Sequence, residues 1–157
     1  MKTWIAEVWY LVKALFSKVP KDNNMEIVQM RFFPFKGYLA MSWAGKLITR
    51  YNPSQIGEST KVHEGIHLQQ ARKVGGWFAF YLTYLIEYLW NLLGLWLGLK
   101  GSYYCIHYEM QAFGNELNGD YEVTKENMKL YRFGFKKKKI WRENKKNWRA
   151  FCRGIEE

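Results

Sequence analysis

The chain has 157 residues, 48% of them hydrophobic and 18% aromatic, with a formal net charge of +10. That length suits one domain, 1–157, with a real core, and the composition excludes a disordered chain. Two cysteines, Cys105 and Cys152, have no metal-ligand spacing and form no disulfide framework, which fits a reducing, cytoplasmic setting.

In MKTWIAEVWYLVKALFSK the apolar residues 4, 5, 8, 11, 12, 15 and 16 trace one broad face of an amphipathic helix within 1–19. Glu7 and Lys13 interrupt the run and no small-residue cleavage site follows, so the segment does not read as a secretory signal. Packing on the domain is the preferred reading, with a position on a membrane surface as the alternative.

Val19 to Asn24 is a turn-rich break. The next stretch, EIVQMRFFPFKGYLAMSWAGKLITR, is rich in β-branched and aromatic residues and punctuated by Pro34, Gly37 and Gly45. It predicts short strands in antiparallel hairpins, over 26–33, 37–43 and 46–50. After a polar loop at 51–59, Ser59 or Thr60 can cap a helix that runs to Val74, where Gly75-Gly76 supplies a left-handed end.

That helix carries His63-Glu64-Gly65-Ile66-His67, an HExxH pattern. Residues four apart lie one above the other on a helix, so both imidazoles can reach one metal ion, with Glu64 beside them facing a water. Gln70, three residues past His67, faces the same site and can bind substrate or orient a ligand.

WFAFYLTYLIEYLWNLLGLWLGL, residues 77–99, is long enough to span a bilayer and has Glu87 as its only charge. Its aromatics are spread throughout, and Glu87 and Asn91 sit near its middle, each costly in lipid without a partner. A buried helical hairpin or central core helix is preferred over membrane insertion. SYYCIHYEMQAFGNELNG predicts another helix ending near Asn118-Gly119, and 121–131 a further one.

The tail, 132–157, has ten Lys or Arg residues between Arg132 and Arg153 against a single acid, Glu143. Such a segment attracts phosphate, on an anionic membrane surface or on nucleic acid, or is a solvated basic face. Phe133, Phe135, Trp141 and Trp148 among the lysines favour the membrane surface. No nucleic-acid module is recognisable, which places nucleic acid last.

Two histidines hold zinc poorly, and a catalytic site needs a third protein ligand and an open position. His107 is the remaining histidine; Glu87 and Glu109 are the stronger candidates. If 60–74 and 77–99 pair antiparallel, Glu87 comes level with His63, as a ligand or as a hydrogen-bond partner of an imidazole.

HExxH followed by a distant ExxA, here Glu109-Met110-Gln111-Ala112, resembles the gluzincin metallopeptidases over roughly residues 26–118. The chain is also similar to small uncharacterised bacterial proteins with HExxHxxQ. The gluzincin resemblance implies an α+β zincin-like fold, mostly helical, with a small antiparallel sheet before the active-site helix. It implies His63, His67 and Glu109 as Zn2+ ligands and Glu64 as general base for hydrolysis of a peptide or protein substrate by a metal-activated water. Where these families often carry ExxAD or ExxSD this chain has Phe113, so another residue must orient a zinc histidine: Glu87 first, then Glu116. The oxyanion donor is open among eleven tyrosines, with Tyr104 and Tyr131 as guesses and His107 behind them. The alternative function is a non-enzymatic metal-binding or peripheral membrane protein using its aromatic helix and basic tail.

Overall fold

The computed structural model describes residues 3–23, 25–34 and 39–157. Its architecture is mixed α+β, with a three-stranded sheet inside a mostly helical chain. Helix α1 (Trp4–Leu15) is capped by the Thr3 hydroxyl and packs through Leu11 and Ala14. Glu7, which breaks the apolar run in sequence, is the buried centre of that face, because its carboxylate accepts the backbone N–H groups of Arg31 and Phe32 at 2.9 and 3.0 Å. Trp4, Ile5, Trp9 and Phe16 stay exposed. The helix therefore packs on the domain with only part of its apolar face.

Strands β1 (Glu26–Gln29), β2 (Ala40–Trp43) and β3 (Lys46–Thr49) lie in the order β1-β3-β2. The expected antiparallel arrangement holds for β2 and β3 alone; β1 pairs parallel with β3. The chain leaves β1 early because Glu7 captures the amides of 31 and 32, which removes them from any ladder. Residues 37 and 38 of the expected second strand lie outside the described residues. The β2–β3 hairpin turns at Ala44-Gly45, both with positive φ, as a two-residue hairpin of this hand requires. A side chain at Gly45 would stand 3.0 Å from the Trp77 ring, so that glycine also admits the next layer.

The sheet is sandwiched. Ile48 packs towards α1 with Leu11 and Met30, while Leu47 faces Val62 and Ile66 of helix α2 (Glu58–Val74). Helix α2 starts ahead of both expected caps, with Gly57 rather than Ser59 or Thr60 at the cap position, and ends at Gly75 with φ 100°. Helix α3 (Trp77–Leu89) continues into a short π-helical stretch, Trp90–Gly94. Positive φ at Trp96 and Gly98 then turns the chain into α4 (Gly98–Tyr104). No helix among the described residues is long and apolar enough to cross a membrane.

Nor is 77–99 a buried hairpin or central helix. Trp77, Phe80, Asn91 and Leu95 are buried, but Phe78, Leu82, Leu85, Ile86, Leu89, Trp90, Leu93 and Trp96 are exposed. An all-round apolar sequence signals burial on every side; here neighbours cover one side only.

The single helix expected after Gly101 is two, because Cys105-Ile106 breaks it: α4, then α5 (His107–Asn115). Helix α6 (Lys125–Leu130) is narrower than 121–131, being set by a capping box between Thr124 and Asn127. The tail forms α7 (Lys137–Asn144) and α8 (Trp148–Arg153). It is more than a solvated face, since α8 lies so close to α5 that a side chain at Gly114 would meet the Cys152 carbonyl oxygen at 2.7 Å. Ile66, Leu68 and Ala71 of α2, Phe80 of α3, and Ile106 and Ala112 around α5 share one core, so the two helices with candidate ligands are fixed to each other. Cys105 and Cys152 are buried free thiols in a second cluster.

Candidate metal centre

Helix α2 stacks His63 and His67 on its inner face, and α5 brings Glu109 against both. One ligand atom from each lies within 4.8 Å of the others, close enough to hold a metal ion. Glu109 Oε2 is 3.3 Å from His63 Nε2, and Oε1 is 3.3 Å from His67 Nε2. All three residues are buried. The small side chain of Ala112, fully buried one turn past Glu109, permits the close α2–α5 contact.

The surrounding hydrogen bonds decide which ring nitrogens face inward. Gln70 is fully buried, and its amide nitrogen donates to the Tyr108 carbonyl oxygen (3.0 Å) and to Gln111 Oε1 (2.9 Å). A carbonyl can only accept, so the amide oxygen of Gln70 must face His67, accepting from Nδ1–H at 2.8 Å. In the neutral imidazole that leaves the Nε2 lone pair directed at Glu109. His63 is held the same way: Nδ1–H donates to Glu116 Oε2 at 3.2 Å, and Arg149 holds the other Glu116 oxygen at 2.9 Å. Gln70 therefore orients a candidate ligand and has no surface to offer a substrate.

Glu116, the second of the two sequence candidates, is thus the carboxylate that meets His63 Nδ1. Phe113, at the aspartate's own position, instead packs its ring 4.6 Å from His63 and stacks on Tyr104 at 5.1 Å. It is a wall that prevents the imidazole from tilting.

Glu87 does not join the histidines. Its carboxylate accepts the backbone N–H of His107 at 3.2 Å, pairs with His107 Nδ1, and forms an ion pair with buried Lys137. Along α3 the residue level with Glu109 is Tyr84, one turn earlier, whose hydroxyl donates to Oε1 at 2.8 Å. Glu87 instead accepts the first amide of α5, the helix that presents Glu109. His107 is committed to Glu87 and contributes nothing to the cluster.

Electrostatics follow from these contacts. Burial alone would lower the His63 pKa, but the Glu109 and Glu116 carboxylates outweigh it and raise it to about 10. His67 is raised against the same penalty, chiefly by Glu109. Burial would raise Glu109; the two imidazoles overcome it and hold the carboxyl far below its ordinary value. Glu64 goes the other way, lifted by burial more than the two histidines lower it.

A cleft of about 520 Å³ opens on this group between β2 and α3. Glu64, His67 and Glu109 are in its wall, with Ser42 and Trp43 of β2, Tyr81, Tyr84, Leu85 and Tyr88 of α3, and Tyr103. The Ser42 side chain hydrogen-bonds Glu64. The Tyr81 hydroxyl oxygen accepts the backbone N–H of Ala44 in the hairpin turn at 2.8 Å, and its ring stacks on Trp43 at 4.8 Å.

Neither tyrosine guessed from sequence reaches the cleft: Tyr104 packs between Phe113 and Trp141, and the Tyr131 hydroxyl meets Asn115 and Glu156. Tyr84 and Tyr103 are there instead. Tyr103 stands six residues before Glu109, on a different face of a continuous helix, and only the break at Cys105-Ile106 turns both towards the cleft. No sequence signal marks that break. Tyr84 had one, since it lies four residues from Phe80 and from Tyr88 on the cleft-facing stripe of α3. Comparison of the chain with protein-family models, curated proteins and solved structures yields no match.

Proposed function

We propose that the cluster is a catalytic zinc site of a peptide-bond hydrolase with zincin-like, gluzincin-type organisation. The observation that supports this reading is a three-residue His, His, Glu group of which His67 and Glu109 reach the wall of a cleft, with a carboxylate, Glu64, beside them. Three protein ligands is the catalytic count, and structural zinc sites are closed by four. The donor set fits zinc, since both Nδ1 atoms are engaged elsewhere and both Nε2 atoms face the Glu109 carboxylate.

Zinc held there supplies a Lewis acid that polarises a scissile carbonyl and lowers the pKa of water. Glu64 takes the proton from the attacking water and passes it to the leaving amine. Its burial raises its pKa towards the range where a carboxyl can both accept and return a proton near neutrality. Burial and the nearby Glu109 and Glu64 carboxylates push Tyr103 upward, so its hydroxyl stays protonated and can donate to the carbonyl oxygen as negative charge develops. Tyr84 donates to Glu109 at 2.8 Å and orients it, and Tyr103 also reaches Glu109. The outer edge of β2 has no strand paired to it among the described residues, so an extended peptide can lie along it across Glu64.

The competing reading is a metal-binding or peripheral membrane protein without catalysis, its metal site structural or lost; a structural zinc site is closed by a fourth side chain, and among the described residues the group has three. The test is cleavage of a quenched-fluorescent peptide library by zinc-loaded protein. Wild type is expected to cleave, and Glu64→Gln, at equal zinc content, to be slower by about 10²–10⁴-fold. Equal rates would reject the mechanism.

A further inference from the structure

The outer face of α3 is apolar where a surface helix is ordinarily polar. Phe78, Leu82, Leu85, Ile86, Leu89 and Leu93 recur at helical spacing and are all exposed, and Trp96, 77% exposed, continues the stripe past the π-helical stretch. A contiguous apolar surface of this extent marks an interaction site.

Its charge pattern narrows the partner. The one acid of residues 77–99, Glu87, is turned inward, ion-paired with Lys137 and in contact with His107, so the stripe presents no negative charge. Basic residues border it. Trp90 packs edge-on against exposed Phe135 at 5.7 Å, beside exposed Lys136, and Lys100 and Lys145 line a crevice with Leu99. Aromatic rings beside lysines on an apolar face suit the headgroup level of an anionic bilayer. A second copy fits poorly, because a self-dimer would bring two lysine rims together. With no helix among the described residues long and apolar enough to cross, the chain would lie on the bilayer.

We propose that the outer face of α3 and the turn after it docks on an anionic lipid bilayer. The cleft opens at the border of this face, since Leu85 is both exposed on the stripe and part of the cleft wall. Docking therefore sets the cleft mouth at the membrane surface. Resting on the hydrolase reading, the substrate class becomes peptide segments held at a bilayer interface.

The experiment is co-sedimentation of the full chain with phosphatidylcholine vesicles, with and without phosphatidylglycerol. Wild type and Glu64→Gln should both pellet with the anionic vesicles. Ile86→Asp with Leu93→Asp removes no buried contact and should partition about a hundredfold less, with circular dichroism unchanged. Lys136→Glu with Lys145→Glu should weaken the preference for anionic lipid.

Wild type left in the supernatant overturns docking. So does a double-aspartate variant that pellets like wild type, or one that instead dissolves a dimer seen by light scattering. A peptide anchored in vesicles and cleaved no faster than the same peptide free overturns the substrate class alone. Vesicle binding without any cleavage would tell against the hydrolase, not against the docking.

Discussion

Two buried histidine–glutamate clusters share α3 and α5, and they are opposite in kind. At one, Glu109 meets His63, His67 and the Tyr84 hydroxyl; at the other, two residues earlier on α5, His107 and Lys137 meet Glu87. Lys137 brings a permanent positive charge that saturates Glu87. The His107 pKa is lowered, burial outweighing the pull of Glu87, and its Nε2 has no hydrogen-bond partner among the described residues. That cluster is a closed strap between α3, α5 and the basic tail. At Glu109 the positive charge sits only on imidazoles, which can give up protons to a divalent cation. The Arg149 guanidinium pairs with Glu116. The identity of the cation decides whether a buried carboxylate is a structural tie or a candidate ligand.

Exchanging the two glutamates tests that contrast hardest. Glu109→Ala, like His63→Ala with His67→Ala, should take zinc from about one per chain to near none, with the fold retained by circular dichroism. Glu87→Ala should keep the zinc and lose stability, by about 3 kcal/mol in urea unfolding, because Lys137 is left buried without its partner. Loss of zinc in Glu87→Ala with full zinc in Glu109→Ala would reverse the assignment.

Smaller effects are expected one layer out. Gln70→Ala and Glu116→Ala each leave a ring nitrogen without its orienting acceptor, and should weaken zinc affinity by about 10–100-fold in chelator competition. Phe113→Leu, which keeps an apolar wall against His63, should change affinity less than either. A larger loss in Phe113→Leu would mean that packing and not hydrogen bonding orients His63.

The mildest test is pH. Metal and proton compete for His63, whose pKa is about 10 in the metal-free cluster. Zinc affinity should therefore climb about tenfold per pH unit from 7 towards 10, where an ordinary histidine pair would level off near 7. Stability of the metal-free chain should move the other way. The raised His63 pKa contributes fully below 6.5 and is lost as pH rises through about 10, while the lowered Glu109 pKa contributes above 4.5 and is lost as pH falls. Thermal melts across pH 6–10 check the first limb; a flat profile would mean that His63 is not paired as described.

The sequence made half of this legible. HExxH carries its own geometry, because four residues are one helical turn, and Gly75 after an apolar run announces the end of the helix. Strand content in 26–50 was readable from β-branched residues, but the parallel β1–β3 pairing was not, since it depends on where Glu7 reaches from a distant helix. The choice between Glu87 and Glu109 turned on a shift of one turn along α3, which counting across Gly75-Gly76 does not resolve. Tyr103 depended on a helix break that no Gly or Pro marks. The exposure of α3 was hidden for a different reason: apolar periodicity records what a face avoids or seeks, not whether protein or lipid meets it.

The most direct measurement is a crystal structure of the zinc-loaded chain, read for the atoms that lie about 2 Å from the metal. His63 Nε2, His67 Nε2 and a Glu109 oxygen are expected there, with the fourth position open to the cleft beside Glu64. Zinc bound at Glu87 and His107, or closed off at the first site by a fourth protein side chain, would contradict the catalytic assignment.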